Sequence, residues 1–178
     1  CLAICLDKPL ANRLVESAGV HTPKRRVLTD SQELGGVAGG NFSFPAIIKP
    51  AHEGSSKGIR LSSVVENPEQ AIEAVEKLLG HYHQPVMLEE FIEGEEVTVG
   101  IIGNSPSKVL GMMRIVPKVR NSYFVYSLEV KRNYLDLVDY ECPARLEREV
   151  LQNLEISALN AFKALGCRDF ARLDFRVS

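Results

Sequence analysis

Three extended segments follow one another between residues 85 and 116, "PVMLEEFI", "EEVTVGII" and "KVLGMMRIV", with Gly94 and a short polar turn as the breaks between them. Strands joined by so few residues pair antiparallel, because a parallel neighbour needs a crossover of about a dozen residues or more. "FPAIIKP" adds a short apolar strand bounded by prolines, and "IRLSSV" reads as the strand that returns beside it. "DFARLDFRV" alternates, with Ala171, Leu173 and Phe175 on one face and Arg172 and Asp174 on the other. Helices are expected to cover these sheets. "LDKPLANRLVESAGV" has Asp7 as N-cap, Pro9 in the first turn, Leu10, Leu14 and Val15 at helical spacing and Gly19 as the stop. "NPEQAIEAVEKLL" has Asn67 as cap, Pro68 at the first position, and Ile72, Val75, Leu78 and Leu79 inward. A last helix is expected from Pro143, with Leu146, Val150, Leu154, Ala158, Ala161 and Leu165 on one face and Gly166 as its end. A second capped start, "TDSQEL", dissolves into "GGVAGGNF", and residues 117 to 142 read as a long irregular loop of the functional kind. Strand hairpins with helices laid against them predict an α+β fold with mainly antiparallel sheets.

A chain of 178 residues with 45% apolar and 25% charged residues can bury one sizeable core or two small ones, which excludes a disordered chain. The net charge is -2 and the 21 basic residues are scattered, so nucleic acid and anionic membranes are set aside as partners. No apolar run approaches the roughly 20 residues that span a bilayer, and "CLAICLDKP" is too short and too uncharged at its start for a secretory signal. The cytoplasm is the expected location. Cys1, Cys5, Cys142 and Cys167 show no CxxC or Cys/His metal spacing and read as small apolar residues. Because the chain opens on Cys1 and stops within the strand "RLDFRVS", we expect it to be an excerpt of a longer polypeptide.

The chemistry-bearing residues are spread along this frame. In "KPAHEGSSKGI", Lys49 ends an apolar strand, where an ammonium group has no packing role but can reach a phosphate as a point charge. Gly54, Ser55, Ser56 and Gly58 offer a closely approachable backbone and two hydroxyl donors. Alone, this loop reads more readily as an ordinary turn, since it is neither a Walker loop nor GxGxxG. "LEEFIEGEEVTV" puts Glu89 and Glu96 on either side of an expected strand turn, as solvated acids or as acceptors for an adenine amino group and ribose hydroxyls. Arg172 and Asp174 project side by side from one strand face, as a surface ion pair or as part of a site.

Taken in order, "LDKPLANRLVESAGV", "FPAIIKPAHEGSSKGI", "VMLEEFIEGEEVTVGIIG", "SLEVK", "YECPA" and "LGCRDFARLDF" resemble the ATP-grasp core of the D-alanine:D-alanine ligase family, from about residue 3 to the last. The resemblance implies two subdomains, 20–92 and 93–178, holding ATP between them, with 1–19 leading in and residues 53–58 closing over the phosphates. It implies that Lys8 and Lys49 contact the nucleotide phosphates, with Ser56 nearby, and that Ser55 orients the first substrate. Glu89, Glu90, Phe91 and Ile92 resemble the hinge strand that reads adenine, and Glu96 the acid that holds the ribose. Lys131 resembles the lysine on the transferred phosphate, Arg172 the arginine of the tetrahedral intermediate, and Asp174 a ligand to Mg²⁺, with Mn²⁺ as its substitute. The implied reaction joins two D-alanines through an acylphosphate for peptidoglycan precursors. Another acceptor (D-lactate, D-serine or another amino acid) and a catalytically dead nucleotide-binding module are the alternatives, and dimerisation is left open. Three features depart from the family. Arg132 follows the loop lysine where D-alanine-specific members tend to carry an aromatic, Glu90 stands where several carry a lysine, and the N-terminal domain and the later Glu and Asn metal ligands lie outside these residues.

Overall fold

The computed structural model describes residues 1–30, 33, 35, 42–119 and 123–178. Among them are two four-stranded antiparallel sheets, each backed by one long helix, as the α+β expectation requires. The first sheet has the order β1-β4-β2-β3, with β1 Arg25–Leu28, β2 Ala46–Pro50, β3 Val64–Val65 and β4 Val86–Glu90. The second has the order β7-β6-β5-β8, with β5 Glu95–Ile102, β6 Lys108–Pro117, β7 Val138–Glu141 and β8 Phe170–Val177.

The chain enters through α1, Leu2–Leu6, and α2, Lys8–Ser17, so the single opening helix expected is two. Asp7 separates them. It sits in extended geometry and its carboxylate accepts from Leu10 N–H, a cap contributing about 1 kcal/mol. The helix α3, Pro68–Tyr82, starts on Asn67 as expected and buries Ala71 and Val75 against Leu28, Ala46, Ile48, Val65, Val86 and Leu88 of the first sheet. The helix of the second sheet, α6, Arg148–Ala164, packs Leu154, Ala158 and Phe162 on Val97, Val99 and Ile101. A third cluster of Val15, Val20 and Ala161 ties α2 to that helix.

Several expectations are corrected. "IRLSSV" is not a full strand: Ser63 Oγ accepts from Arg60 N–H and Ser63 N–H donates to the Arg60 carbonyl, closing a 3-10 turn at Leu61–Ser63 that delays the ladder to Val64. The segments on either side of Gly94 do not form a hairpin. β4 lies in the first sheet and β5 in the second, and Gly94, at φ +143° against the end of β8, turns the chain from one to the other. The stretch 117–142 is not one irregular loop. It contains α4, Leu128–Arg132, capped by Ser127, then α5, Tyr134–Leu137, and β7, with Val130 and Val138 buried on Ile115. The last helix, α6, is Arg148–Ala164 rather than starting at Pro143: Ala144 N–H donates to the Met112 carbonyl of β6 and Arg145 N–H to the Glu141 carboxylate of β7, which holds the segment before the helix against the sheet. The cysteines are not core residues: Cys1, Cys5 and Cys142 are exposed and Cys167 is half-buried. Most of the "TDSQEL" and "GGVAGGNF" stretch lies outside the described residues.

Candidate functional site

The residues singled out in the sequence fall into two groups. The first occupies the face of the first sheet turned away from α3. Ile48, Val86 and Leu88 face that helix, so the two-residue period sends Lys49 and Glu89 to the other side. Lys49 Nζ donates to Glu89 Oε1 at 2.7 Å, and Asn12 Nδ2 of α2 donates to Glu89 Oε2 at 3.4 Å. Lys8, at the start of α2, donates to the carbonyls of Pro50, at 3.0 Å, and Glu53. Burial, followed by the neighbouring charge of Lys49, pulls the Lys8 pKa from 10.5 to about 8, against the opposing pull of Glu53 and Glu89. Two ammonium groups therefore flank the end of β2 beside one carboxylate.

The turn that follows is shaped by left-handed backbone. Ser55 and Ser56 have φ of 54° and 60°, and a Cβ on Gly58, at φ +76°, would lie 2.4 Å from Pro50 Cγ. Ser56 Oγ donates to the Tyr126 carbonyl at 3.1 Å, Leu128 N–H donates to the Ile59 carbonyl at 3.4 Å, and Arg60 pairs with Glu129 at 3.5 Å. The glycine/serine turn, expected to close over the phosphates, and the start of α4, inside the long stretch 117–142, thus rest on one another. Ser55 is exposed, and its hydroxyl has no partner among the described residues.

The second group lies on the second sheet. The register sets Glu96 opposite Arg176, Thr98 opposite Asp174 and Gly100 opposite Arg172, all on the face away from α6. Thr98 Oγ1 donates to Asp174 Oδ1 at 2.9 Å, and Arg172 grips the same carboxylate through Nε at 3.2 Å and Nη2 at 3.2 Å. Glu96 Oε1 accepts from Tyr126 N–H at 3.0 Å and from Arg176 Nη1 at 2.9 Å, while burial raises the pKa of its carboxyl. Lys131 of α4 stands 5.0 Å above the Tyr126 ring, where burial lowers its pKa and the charges of Asp174, Arg172 and Glu96 act on it. Ser56 is linked to this group through Tyr126, whereas no contact joins Lys8 or Lys49 directly to Arg172 or Asp174 among the described residues.

Between the groups runs the crossing strand. Glu90 N–H donates to the Lys24 carbonyl and Phe91 N–H to the Pro45 carbonyl, so both are fixed to the first sheet. Arg176 then binds the carbonyls of Ile92, Gly94 and Phe124 and covers the Phe91 ring at 4.4 Å. Arg176, Thr98 and Asn12 were not among the expected site residues. Alternation was the available signal for the first two: Arg176 continues the face of Arg172 and Asp174, and Thr98 that of Glu96. Asn12 stands one helical turn after Lys8.

Asp174 is suited to one hard cation. Its carboxylate is exposed and, among the described residues, is bound by one hydroxyl and one guanidinium, and Mg²⁺ commonly takes one or two protein carboxylates plus phosphate oxygens. An open cleft of about 960 Å³ lies elsewhere, lined by Asp7, Arg13, Lys24, Arg26 and His52 among others, and contains none of the expected site residues.

The profile of the family described as D-ala D-ala ligase C-terminus matches residues 14–178. An uncharacterized protein of Sinorhizobium fredii is 31% identical over 173 residues, covering 96% of this chain and 48% of its own length. A D-alanine–D-alanine ligase of Janthinobacterium sp. is 32% identical over 180 residues, 98% of this chain and 53% of its own. Among solved structures, the VanG D-Ala:D-Ser ligase of Enterococcus faecalis superposes with a TM-score of 0.76 at 27% identity, over 98% of this chain and 49% of that one. The chain spans about half the length of the relatives it matches. The two-sheet architecture it shares with these ligases is the ATP-grasp fold. Matched from residue 14 to its last residue, the chain belongs to the D-alanine–D-alanine ligase C-terminal family.

Proposed function

We propose that this chain is the nucleotide-binding and phosphoryl-transfer part of an ATP-dependent ligase that joins two D-alanines, with D-serine or D-lactate as alternative acceptors. The observation that carries this reading is the presence of two cationic groups, Lys8 and Lys49 at the end of β2 and Lys131 and Arg172 around Asp174, together with the contact between the 53–58 turn and the segment leading into α4. Lys8 and Lys49 hold the phosphates under the turn, and Ser56 donates to them when released from Tyr126. Glu96 has its Oε1 committed to Tyr126 and Arg176, which leaves Oε2 for ribose hydroxyls. Of the hinge residues Glu89, Glu90, Phe91 and Ile92, the first two are paired on both sides within the first sheet, so adenine meets the chain where it leaves that sheet, at Phe91 and Ile92. Bound Mg²⁺, or Mn²⁺ in its place, neutralises phosphate charge, and Asp174 would hold it. The carboxylate of the first amino acid, oriented by Ser55, attacks the γ-phosphate to give an acylphosphate, with Lys131 offsetting charge on the transferred group. The amine of the second then adds to the acyl carbon, Arg172 stabilises the oxyanion, and phosphate leaves. The two touching covers keep water from the acylphosphate. Such a dipeptide serves as a peptidoglycan precursor, made in the cytoplasm. No described helix is long and apolar enough to cross a membrane.

The test is phosphate release by the native polypeptide that carries this chain, given Mg-ATP and D-alanine, D-serine, D-lactate or L-amino acids, singly and in pairs with D-alanine. Release that depends on D-alanine is expected. ATP binding with no release in any combination would make the protein a nucleotide-binding module, and failure to bind ATP would remove the phosphate assignments. Arg132, exposed beside Lys131, is the position to vary for acceptor choice.

The Lys8 ammonium supplies a pH test. In the free protein Lys8 loses its proton near pH 8, whereas phosphate beside it favours the charged form, so binding above pH 8 takes up a proton. ATP affinity should fall as pH rises through 8, measured by calorimetry, and Lys8→Met should flatten that fall. Without ligand the sign reverses. Between about 8 and 10.5 the unfolded chain holds the proton that the folded one releases, so the contribution of Lys8 to stability rises with pH.

A further inference from the structure

Three of the four cysteines meet at one point of the surface although they are far apart in sequence. Cys1 and Cys5 stand one turn apart at α1, and Cys167 lies in the turn between α6 and β8. Cys1 Sγ is 3.7 Å from Cys5 Sγ and 3.3 Å from Cys167 Sγ, and all three sulfurs lie within 4.8 Å of one another. An ion bound at about 2.3 Å to each of three thiolates requires sulfur separations of about 3.8 to 4.0 Å, so the two spacings of 3.7 and 3.3 Å would open by a few tenths of an ångström on binding. A disulfide would need only two of these groups, drawn to about 2.05 Å.

We propose that Cys1, Cys5 and Cys167 form a trithiolate site for a thiophilic cation of the Zn²⁺ or Cu⁺ class. The surroundings explain what such an ion does. None of the residues of α1 is buried, and Leu2 is 88% exposed, so apolar packing holds this five-residue helix weakly. Leu6 nevertheless sits beside Gly54 of the glycine/serine turn, and α1 runs through Asp7 into Lys8. Cys167 is five residues before Arg172 on the approach to β8. One ion at the three sulfurs therefore fastens the segment that presents Lys8 to the strand that presents Arg172 and Asp174. Among the described residues no carboxylate or imidazole joins the three sulfurs, and soft thiolates select Zn²⁺ or Cu⁺ over Mg²⁺ or Ca²⁺.

The site is tested with the fully reduced native polypeptide that carries this chain and Cd²⁺ as the probe, following the near-ultraviolet sulfur-to-metal band and the reactivity of each of the four thiols toward an alkylating agent. The expected result is one Cd²⁺ per chain, with Cys1, Cys5 and Cys167 protected and Cys142 still reactive. Cys5→Ser and Cys167→Ser should each lose the band, while Cys142→Ser keeps it. Circular dichroism of the serine variants separates loss of the site from loss of the fold. No stoichiometric uptake, or a band that survives Cys167→Ser, overturns the proposal. So does a Cys1 or Cys5 disulfide to Cys167 that, once reduced, leaves a chain unable to take up Cd²⁺.

Discussion

Gly94→Ala should lower the stability of the folded chain by about 3 kcal/mol or more, the largest effect we expect from any single methyl group here. Gly94 has φ +143°, a conformation open to glycine and strained for any L side chain, and a Cβ built on it would lie 1.9 Å from the Val177 carbonyl oxygen and 2.7 Å from its carbon. That neighbour is backbone at the end of β8, so no side chain can swing aside to relieve the overlap. Either the Gly94 turn opens or the end of β8 shifts. Arg176, which donates to the Gly94 and Ile92 carbonyls, moves with it, and Glu96 then loses the guanidinium on its Oε1. For a chain of this length the loss corresponds to a fall in Tm of about 6 to 12 °C, read by thermal melting. Gly111→Ala is the matched control: nothing lies within 4 Å of its built Cβ, and the change there should be far smaller. Equal melting points for Gly94→Ala and the unsubstituted chain would show that the crossing between the sheets yields easily, contrary to the close backbone approach.

Much of this frame was legible in the sequence because the signals were local. Asp7 and Asn67 cap the helices they announce, and the alternation in "ARLDF" puts Arg172 and Asp174 on the face away from the core. The failures share a cause, which is that the deciding partner is remote in sequence. Nothing in "EFIEGEEV" says that Gly94 separates two sheets rather than closing a hairpin, since that depends on Val177, more than eighty residues later. Residues 117–142 read as irregular because their order comes from packing Val130 and Val138 on Ile115 and from pairing β7 with β6. Site residues behaved likewise. Lys49 stood out at the end of an apolar strand, but its partner Glu89 comes from the neighbouring strand. The cysteines, judged by spacing alone, gave no metal pattern, because Cys167 reaches Cys1 only through the fold.

Arg172→Ala should reduce turnover of the native polypeptide by about 10²- to 10³-fold, equivalent to about 3 to 4 kcal/mol, while ATP binding is little changed. This rests on the proposed ligase reaction and on where the guanidinium stands. Its strand partner is Gly100, so no side chain opposes it across the ladder, and its contact is with the exposed Asp174. The side chain is 63% exposed, so it has room to turn toward a reacting acyl group once Asp174 has another cation to balance. A charge needed only when the oxyanion forms stabilises the transition state and not bound ATP, so its loss should appear in kcat and leave the KM for ATP nearly intact. Lys49→Ala should show the opposite signature, with weakened ATP binding, because Lys49 is half-enclosed at the end of β2 and bound to Glu89, on the face where the phosphates are placed. Arg172→Lys divides the possibilities further. An ammonium keeps the charge but not the planar fork, so recovery of most of the turnover would mean that charge alone suffices, while continued loss means that the paired N–H donors are required. If Arg172→Ala instead raised the KM for ATP and left kcat alone, Arg172 would be a phosphate ligand and the oxyanion would need another donor, for which Lys131, beside Arg172 and Asp174, is the nearest candidate.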